Sequence, residues 1–115
     1  MIIISGWIEL EPGQVKDALE KAEPYITPVR VQEGCLDYAW TEDRIIPGRI
    51  YIYERWETQE ALAKHLVGEN YLNMRNHMGQ YGSKGADILK YRIEVAEPVY
   101  DQTGTPRADF FTVSN

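Results

Sequence analysis

Residues 49–57 read Arg49-Ile50-Tyr51-Ile52-Tyr53-Glu54-Arg55-Trp56-Glu57. Ile, Tyr and Trp dominate and no Gly or Pro interrupts them, so the stretch predicts a β-strand. Ile50, Ile52, Glu54 and Trp56 fall on one face, Tyr51 and Tyr53 on the other. A strand with one wet face sets polar residues against apolar ones. Here both faces carry large apolar or aromatic bodies, so both need a cover. The first strand, Met1–Leu10, repeats the pattern: Ile2, Ile4, Ile8 and Leu10 lie on one side, Ile3 and Trp7 on the other.

The elements around these strands follow from spacing and breakers. Val15, Ala18, Leu19, Ala22 and Ile26 predict a helix from about Gly13, which Pro24 and Pro28 should bend or restart because each lacks an amide hydrogen. Glu33-Gly34 ends it. Cys35–Thr41 predicts a second strand, and Glu42–Gly48 a polar turn. Thr58 is placed to cap the next helix, whose inward stripe is Ala61, Leu62, His65 and Leu66. Gly68 interrupts it, and Glu69–Met78 continues as a second helical stretch. Gly79, Gly82 and Gly85 predict a flexible connection. Ile88–Val95 predicts the last strand, with Leu89, Tyr91, Ile93 and Val95 on one face, and Pro98 ends it.

The order is β-α-β-β-α-β, an α+β ferredoxin-like arrangement. Its helical regions cover one face of a four-stranded sheet. The second apolar face is expected to meet the same face of another copy, making a homodimer. Residues 1–97 are expected to form the domain. Residues 98–115 form a C-terminal tail, which Phe110 and Phe111 should dock on the dimer.

Composition narrows the function. A chain of 115 residues is one domain. Eighteen acids against 12 bases give a formal charge of −6 with no basic run, which argues against nucleic acid as a partner. One cysteine excludes a disulfide framework or a Cys-rich zinc site. The longest apolar run, Met1–Ile4, predicts neither a membrane span nor a signal-peptide core, so a cytoplasmic protein with no membrane partner is expected. Three Trp and 8 Tyr outnumber 2 Phe, a balance that suits wet pockets and interfaces. His65 and Glu69 stand at i, i+4 without an evident third ligand, so no metal is expected. Gly79-x-x-Gly82-x-x-Gly85 neither follows a strand nor opens a helix, so it is not a dinucleotide fingerprint.

Three motifs carry a family resemblance. Glu33-Gly34-Cys35-Leu36-Asp37-Tyr38, then Tyr53-Glu54-Arg55-Trp56-Glu57-Thr58, then Ala61-Leu62 with Lys64-His65-Leu66, resemble the E-G-C-x-x-Y, E-x-W-E-[ST] and L-x-x-H patterns of the antibiotic biosynthesis monooxygenase family. Within it the chain looks most like the small quinol monooxygenases, over about residues 1–95. The resemblance implies a dimeric α+β barrel with a pocket between sheet and helices. It implies oxygenation of a small aromatic molecule, a quinol or polycyclic aromatic, by O2 without a cofactor. Such a site needs a dry aromatic pocket, a group that takes a proton, and a donor for the developing anion.

Candidate residues follow. Trp56 matches the family's strand tryptophan; its indole N–H is placed either to reach a substrate oxygen or to close the core. Glu54, between Ile52 and Trp56, is costly to bury unless paired, and burial would raise its pKa towards a value useful for proton transfer. His65 carries the family histidine and is a candidate base, alone or hydrogen-bonded to Glu54. Ile52, Leu62, Tyr38, Trp40, Tyr71 and His77 are candidate substrate-binding residues, although His77 also reads as a solvated side chain and Tyr38 and Trp40 as interface residues. Cys35 reads as a small buried thiol. Ile52 and Leu62 stand where well-understood family members have Asn and Tyr. Gly6 stands at the Asn of the haem-degrading branch, and His65 at its Trp. These departures keep two other functions open: a dimeric binder of small hydrophobic or aromatic molecules, and a cofactor-free isomerase or cyclase.

Overall fold

The computed structural model describes residues 1–113. Four strands, β1 (Ile2–Glu9), β2 (Cys35–Glu42), β3 (Arg49–Trp56) and β4 (Gly85–Arg92), form one antiparallel sheet in the order β2-β3-β1-β4. Three helices, α1 (Val15–Arg30), α2 (Gln59–Leu66) and α3 (Glu69–Gly79), complete the ferredoxin-like α+β fold. Among the described residues no helix is long and apolar enough to cross a membrane.

The β1–β3 register runs from Ile2 opposite Trp56 to Glu9 opposite Arg49. It gathers Ile2, Ile4, Ile8, Ile50, Ile52 and Trp56 on the face beneath the helices. Leu10, Val15, Ala18, Ala22, Val29, Leu62 and Met74 are buried against that face. α1 buries one stripe, Val15, Ala18, Ala22 and Val29, at helical spacing. The other sheet face holds Ile3, Trp7, Tyr51, Tyr53, Leu89 and Tyr91. In the single chain it stays open: Tyr51 and Tyr53 are each 40% exposed and Leu89 is 54% exposed. The Arg49 guanidinium lies 3.9 Å over the Trp7 ring on this face and pairs with Glu9 at 2.6 Å.

Local chemistry sets the element ends. Gly34 turns into β2 at a left-handed φ of 81°, and its carbonyl accepts the Glu57 N–H at 2.8 Å. Asp43 Oδ1 accepts the amides of Ile45 and Ile46 at 2.7 and 2.9 Å, closing the β2–β3 turn. Thr58 caps α2, its hydroxyl accepting the Ala61 N–H at 3.1 Å.

Two expectations are corrected, the restart of the first helix and the bounds of the last strand. α1 runs unbroken through Pro24 and Pro28 and does not restart. Pro24 and the residue four before it, Glu20, are both exposed, so the carbonyl that loses its amide partner lies on the solvent side. The last strand begins three residues earlier than expected, because β1 sets its length: Gly85 pairs with Glu9 and Arg92 with Ile2, where β1 begins. Gly85 is therefore strand and not linker, and Glu94 and Val95 lie beyond it. Ile88 consequently faces the helices. The tail carries its own hydrogen bonds. The Glu97 carboxylate accepts from the Phe111 and Thr112 amides and the Thr112 hydroxyl, and Arg107 lies 4.8 Å over the Phe111 ring. Phe110 is half exposed. Ser114 and Asn115 of the expected 98–115 tail lie outside the described residues.

Gly6 sits in β1 opposite Ile52 and Ile88. A Cβ there would overlap the Asp87 carbonyl oxygen and the Ile88 Cα, both backbone atoms of β4. Gly6→Ala is therefore expected to force β4 away from β1 and to cost about 1–3 kcal/mol, the usual penalty of overpacking. A thermal melt within about 1 °C of the parent would refute this, since about 1 kcal/mol moves a domain of this size by several degrees.

Candidate functional site

The sheet, the end of α2 and α3 border an open cavity of about 340 Å³. Ile4, Ile8, Tyr38, Trp40, Ile52 and Glu54 form its sheet side; Leu66, Tyr71, Met74 and Arg75 form its helical side. Strand alternation puts Tyr38 and Trp40 of β2 and Ile52 and Glu54 of β3 on one face, with Tyr38 directly opposite Glu54. Helical spacing brings Tyr71, Met74 and Met78 to one face of α3.

Among the described residues Glu54 is the one carboxyl in this lining, and it is 8% exposed. Its Oε1 accepts the Trp56 indole N–H at 2.9 Å. Its Oε2 has no hydrogen-bond partner among the described residues. Burial raises its pKa above the ordinary glutamate value, and the Trp56 donor offsets this in part. The carboxyl is thus held by one oxygen and available at the other.

His65 lies behind Glu54, outside the cavity lining. It is fully buried, stacked on Trp56 with ring centres 4.6 Å apart, and meets Tyr38 and Tyr71 edge-on. Its Nδ1 is 3.0 Å from Gln32 Oε1, so the ring donates there. Burial lowers its pKa to about 4, which keeps the imidazole neutral at pH 7. The expected Glu54–His65 hydrogen bond is not formed: Glu54 takes the Trp56 indole and His65 takes Gln32. The reason is geometric. Trp56 and Glu54 share a strand face at spacing two, and the indole fills the space between the carboxyl and the imidazole.

The other candidates separate into two groups. Ile52, Tyr38, Trp40 and Tyr71 line the cavity. Trp56, Leu62 and His77 do not. Trp56 is fully buried, Leu62 packs in the core at the α2–sheet contact, and His77 is neither in the cavity nor solvated. His77 is 5% exposed; its Nε2 donates to the Ala18 carbonyl at 2.8 Å between Tyr25 and Tyr81, tying α3 to α1. The buried neighbours Met74 and Met78, three residues before and one after, mark that face in the sequence. Cys35 is half-buried, and burial raises its thiol pKa, so it is a poor nucleophile. Among the described residues no three His, Cys, Asp or Glu side chains converge as metal ligands.

Sequence reasoning missed Ile4, Ile8, Met74, Arg75 and Gln32. The Tyr71, Met74, Met78 spacing could have found Met74. Nothing local marks Gln32, which follows α1 and meets His65 only through the fold.

Comparison with known proteins places the fold in a family. The family model described as antibiotic biosynthesis monooxygenase matches residues 1–76. The Synechocystis sp. protein sll1783 is 24% identical over 92 residues, which are 80% of this chain and 63% of that protein. Rv0793 of Mycobacterium tuberculosis is 34% identical over 55 residues, 48% of this chain and 54% of that protein. The matches therefore span less than two thirds of these relatives. The solved structure of Rv0793 aligns with a TM-score of 0.72 at 21% identity, covering 84% of this chain and 98% of that one. PA3566 of Pseudomonas aeruginosa aligns with a TM-score of 0.67 at 24% identity, covering 80% and 93%. At these identities the structures establish the shared fold, and the match over residues 1–76 establishes descent: the chain belongs to the antibiotic biosynthesis monooxygenase family.

Proposed function

We propose that the cavity binds a quinol-like or polycyclic aromatic and that the protein oxidises it with O2 as a cofactor-independent monooxygenase. The observation that carries this reading is Glu54: a single carboxyl in an otherwise largely apolar cavity, its pKa raised by burial and one oxygen held by Trp56. In this mechanism Glu54 takes the phenolic proton and leaves an electron-rich anion in the cavity. The anion reduces O2 and bonds to it at a ring carbon. A ring CH2 in the keto form becomes C=O, and its two hydrogens leave with the second oxygen atom as water. Ile52, Tyr71 and Met74 exclude competing water from the ring.

His65 serves this site as a neutral buttress for Trp56, and so for Glu54. Glu54→Gln is expected to slow oxygen uptake on a quinol panel by about a hundredfold to ten-thousandfold, as loss of a general base does. Activity should rise with pH through the raised Glu54 pKa and then level off, because only the carboxylate accepts a proton. His65→Phe keeps an aromatic ring on Trp56 and should hold activity within about tenfold, well short of the loss of a base. Equal losses in the two variants would reinstate His65 as the base.

His65 also predicts a stability profile. Its folded pKa of about 4 lies below the ordinary 6.5, so the unfolded chain binds more protons in that window. Its contribution to stability is present above about pH 6.5 and is lost as pH falls towards 4. Chemical denaturation across that range should show the loss, and His65→Phe should flatten it. A profile identical in the two proteins would contradict the neutral, buried imidazole.

The homodimer belongs to the same proposal. The open face of Trp7, Tyr51, Tyr53, Leu89 and Tyr91 fits a second copy of itself, and we propose that the tail beyond residue 97 docks on that dimer. Sedimentation at micromolar concentration should give twice the chain's 13.3 kDa, and Tyr53→Lys should shift the protein towards that single mass. A parent protein sedimenting as one chain would overturn the dimer.

One observation favours a second reading, a non-enzymatic binder of the same small aromatics. Apolar Ile52 lines the cavity where family members have Asn, and Leu62 leaves it without their Tyr. Binding of quinols without oxygen uptake identifies that function. Turnover without oxygen identifies an isomerase or cyclase.

A further inference from the structure

Tyr38 is 3% exposed, yet its hydroxyl has no hydrogen-bond partner among the described residues. A buried tyrosine hydroxyl normally finds one. Trp40, two residues on and on the same face, goes further: its indole N–H is fully buried and has no partner among the described residues, whereas the Tyr38 hydroxyl is not among the fully buried atoms. The two groups lie near each other but are not aligned as a hydrogen bond. Both residues line the cavity, and Tyr38 stands opposite Glu54 across the β2–β3 ladder. Directly opposed side chains on one sheet face have Cβ atoms about 4.5–5.5 Å apart. The phenol and the carboxyl therefore reach the same region of the cavity.

We propose that the Tyr38 hydroxyl is the donor that holds the oxygen of a bound phenolate, opposite the Glu54 carboxyl that receives that oxygen's proton, with the Trp40 N–H supporting Tyr38 from behind. The proposal rests on the reading of the cavity as the substrate site and assigns a second catalytic residue to it. When the ligand's O–H bond breaks, the Glu54 Oε2–H bond forms and the charge moves to the ligand oxygen. Tyr38 Oη–H donates to that oxygen, and Trp40 Nε1–H donates to Tyr38 Oη, so both unpartnered donors are satisfied together. Burial holds the Tyr38 pKa well above the ordinary tyrosine value, so its own proton stays in place to be shared. Trp40 acts through Tyr38 and is a positioning residue.

The test reads the protonation state of a bound phenol. 4-Nitro-1-naphthol is chosen because its phenolate absorbs visible light. In the parent protein its apparent pKa should fall on binding. Tyr38→Phe should raise the bound pKa by about one unit or more and weaken phenolate binding about tenfold to a hundredfold, the effect of one hydrogen bond to a charged oxygen. Trp40→Phe should shift it the same way by less. Tyr38→Phe should not lower the melting temperature, because it removes only a hydroxyl with no protein partner; Trp40→Phe also trims an indole packed on the core, so it is compared only as folded protein. Ile52→Trp from the sheet, or Met74→Trp from α3, should block binding by filling the cavity. A bound pKa unchanged in Tyr38→Phe, with binding still blocked by either Trp plug, would overturn the donor role and leave the cavity as the site. Binding that survives both plugs in folded protein would overturn the site and the proposal with it.

Discussion

The register of β1 against β3 governs the molecule. With Ile2 opposite Trp56 and Gly6 opposite Ile52, each residue of the two central strands is assigned to a face. A slip of one residue would turn Glu54, Ile52 and Trp56 outward and drive Tyr51 and Tyr53 under the helices. The cavity and the open aromatic face therefore come from one constraint. Gly6 extends it to β4, whose backbone approaches so closely that no side chain fits between the strands.

That register also divides the labour within the site. The strands supply its polar groups: Glu54 from β3, Tyr38 and Trp40 from β2. The helices supply mainly apolar bulk, with Arg75 as the charged exception. Glu54 is the sole carboxyl in an environment that penalises charge, and the charge-neutral His65–Trp56 stack supports it without competing for the proton. A second ionisable base beside it would have split the titration between two groups. In the proposed function the proton chemistry resides in one carboxyl.

The departures from the better-understood relatives acquire a physical meaning. Ile52 faces the cavity, so the position of the family's Asn contributes only an apolar wall. Leu62 is buried in the core and contributes nothing to the lining. Gly6 leaves no room for the Asn of the haem-degrading branch, because β4 occupies that space. The polar groups that remain are concentrated on two neighbouring strands, on one side of the cavity.

By itself the sequence determined the α+β fold, the strand faces and the family. The fold and the faces rest on local periodicity, breakers and caps, such as the alternation in Arg49–Trp56 and the Thr58 cap, which the backbone reads within a few residues, and the family rests on the three motifs around Gly34, Trp56 and His65. The sequence also put Glu54 beside Ile52 on one face of β3 and Tyr38 beside Trp40 on one face of β2, because side chains alternate along a strand, but only the β2–β3 register brought the two pairs to one surface. Tertiary structure decided the partners. Glu54 bonds Trp56 rather than His65 because the indole stands between them, and His65 meets Gln32 only because the turn after α1 lies against α2. His77 is buried because α3 leans on α1, and β4 starts at Gly85 because β1 ends at Glu9. Each of these depends on distances between residues far apart in the chain, which no local pattern encodes.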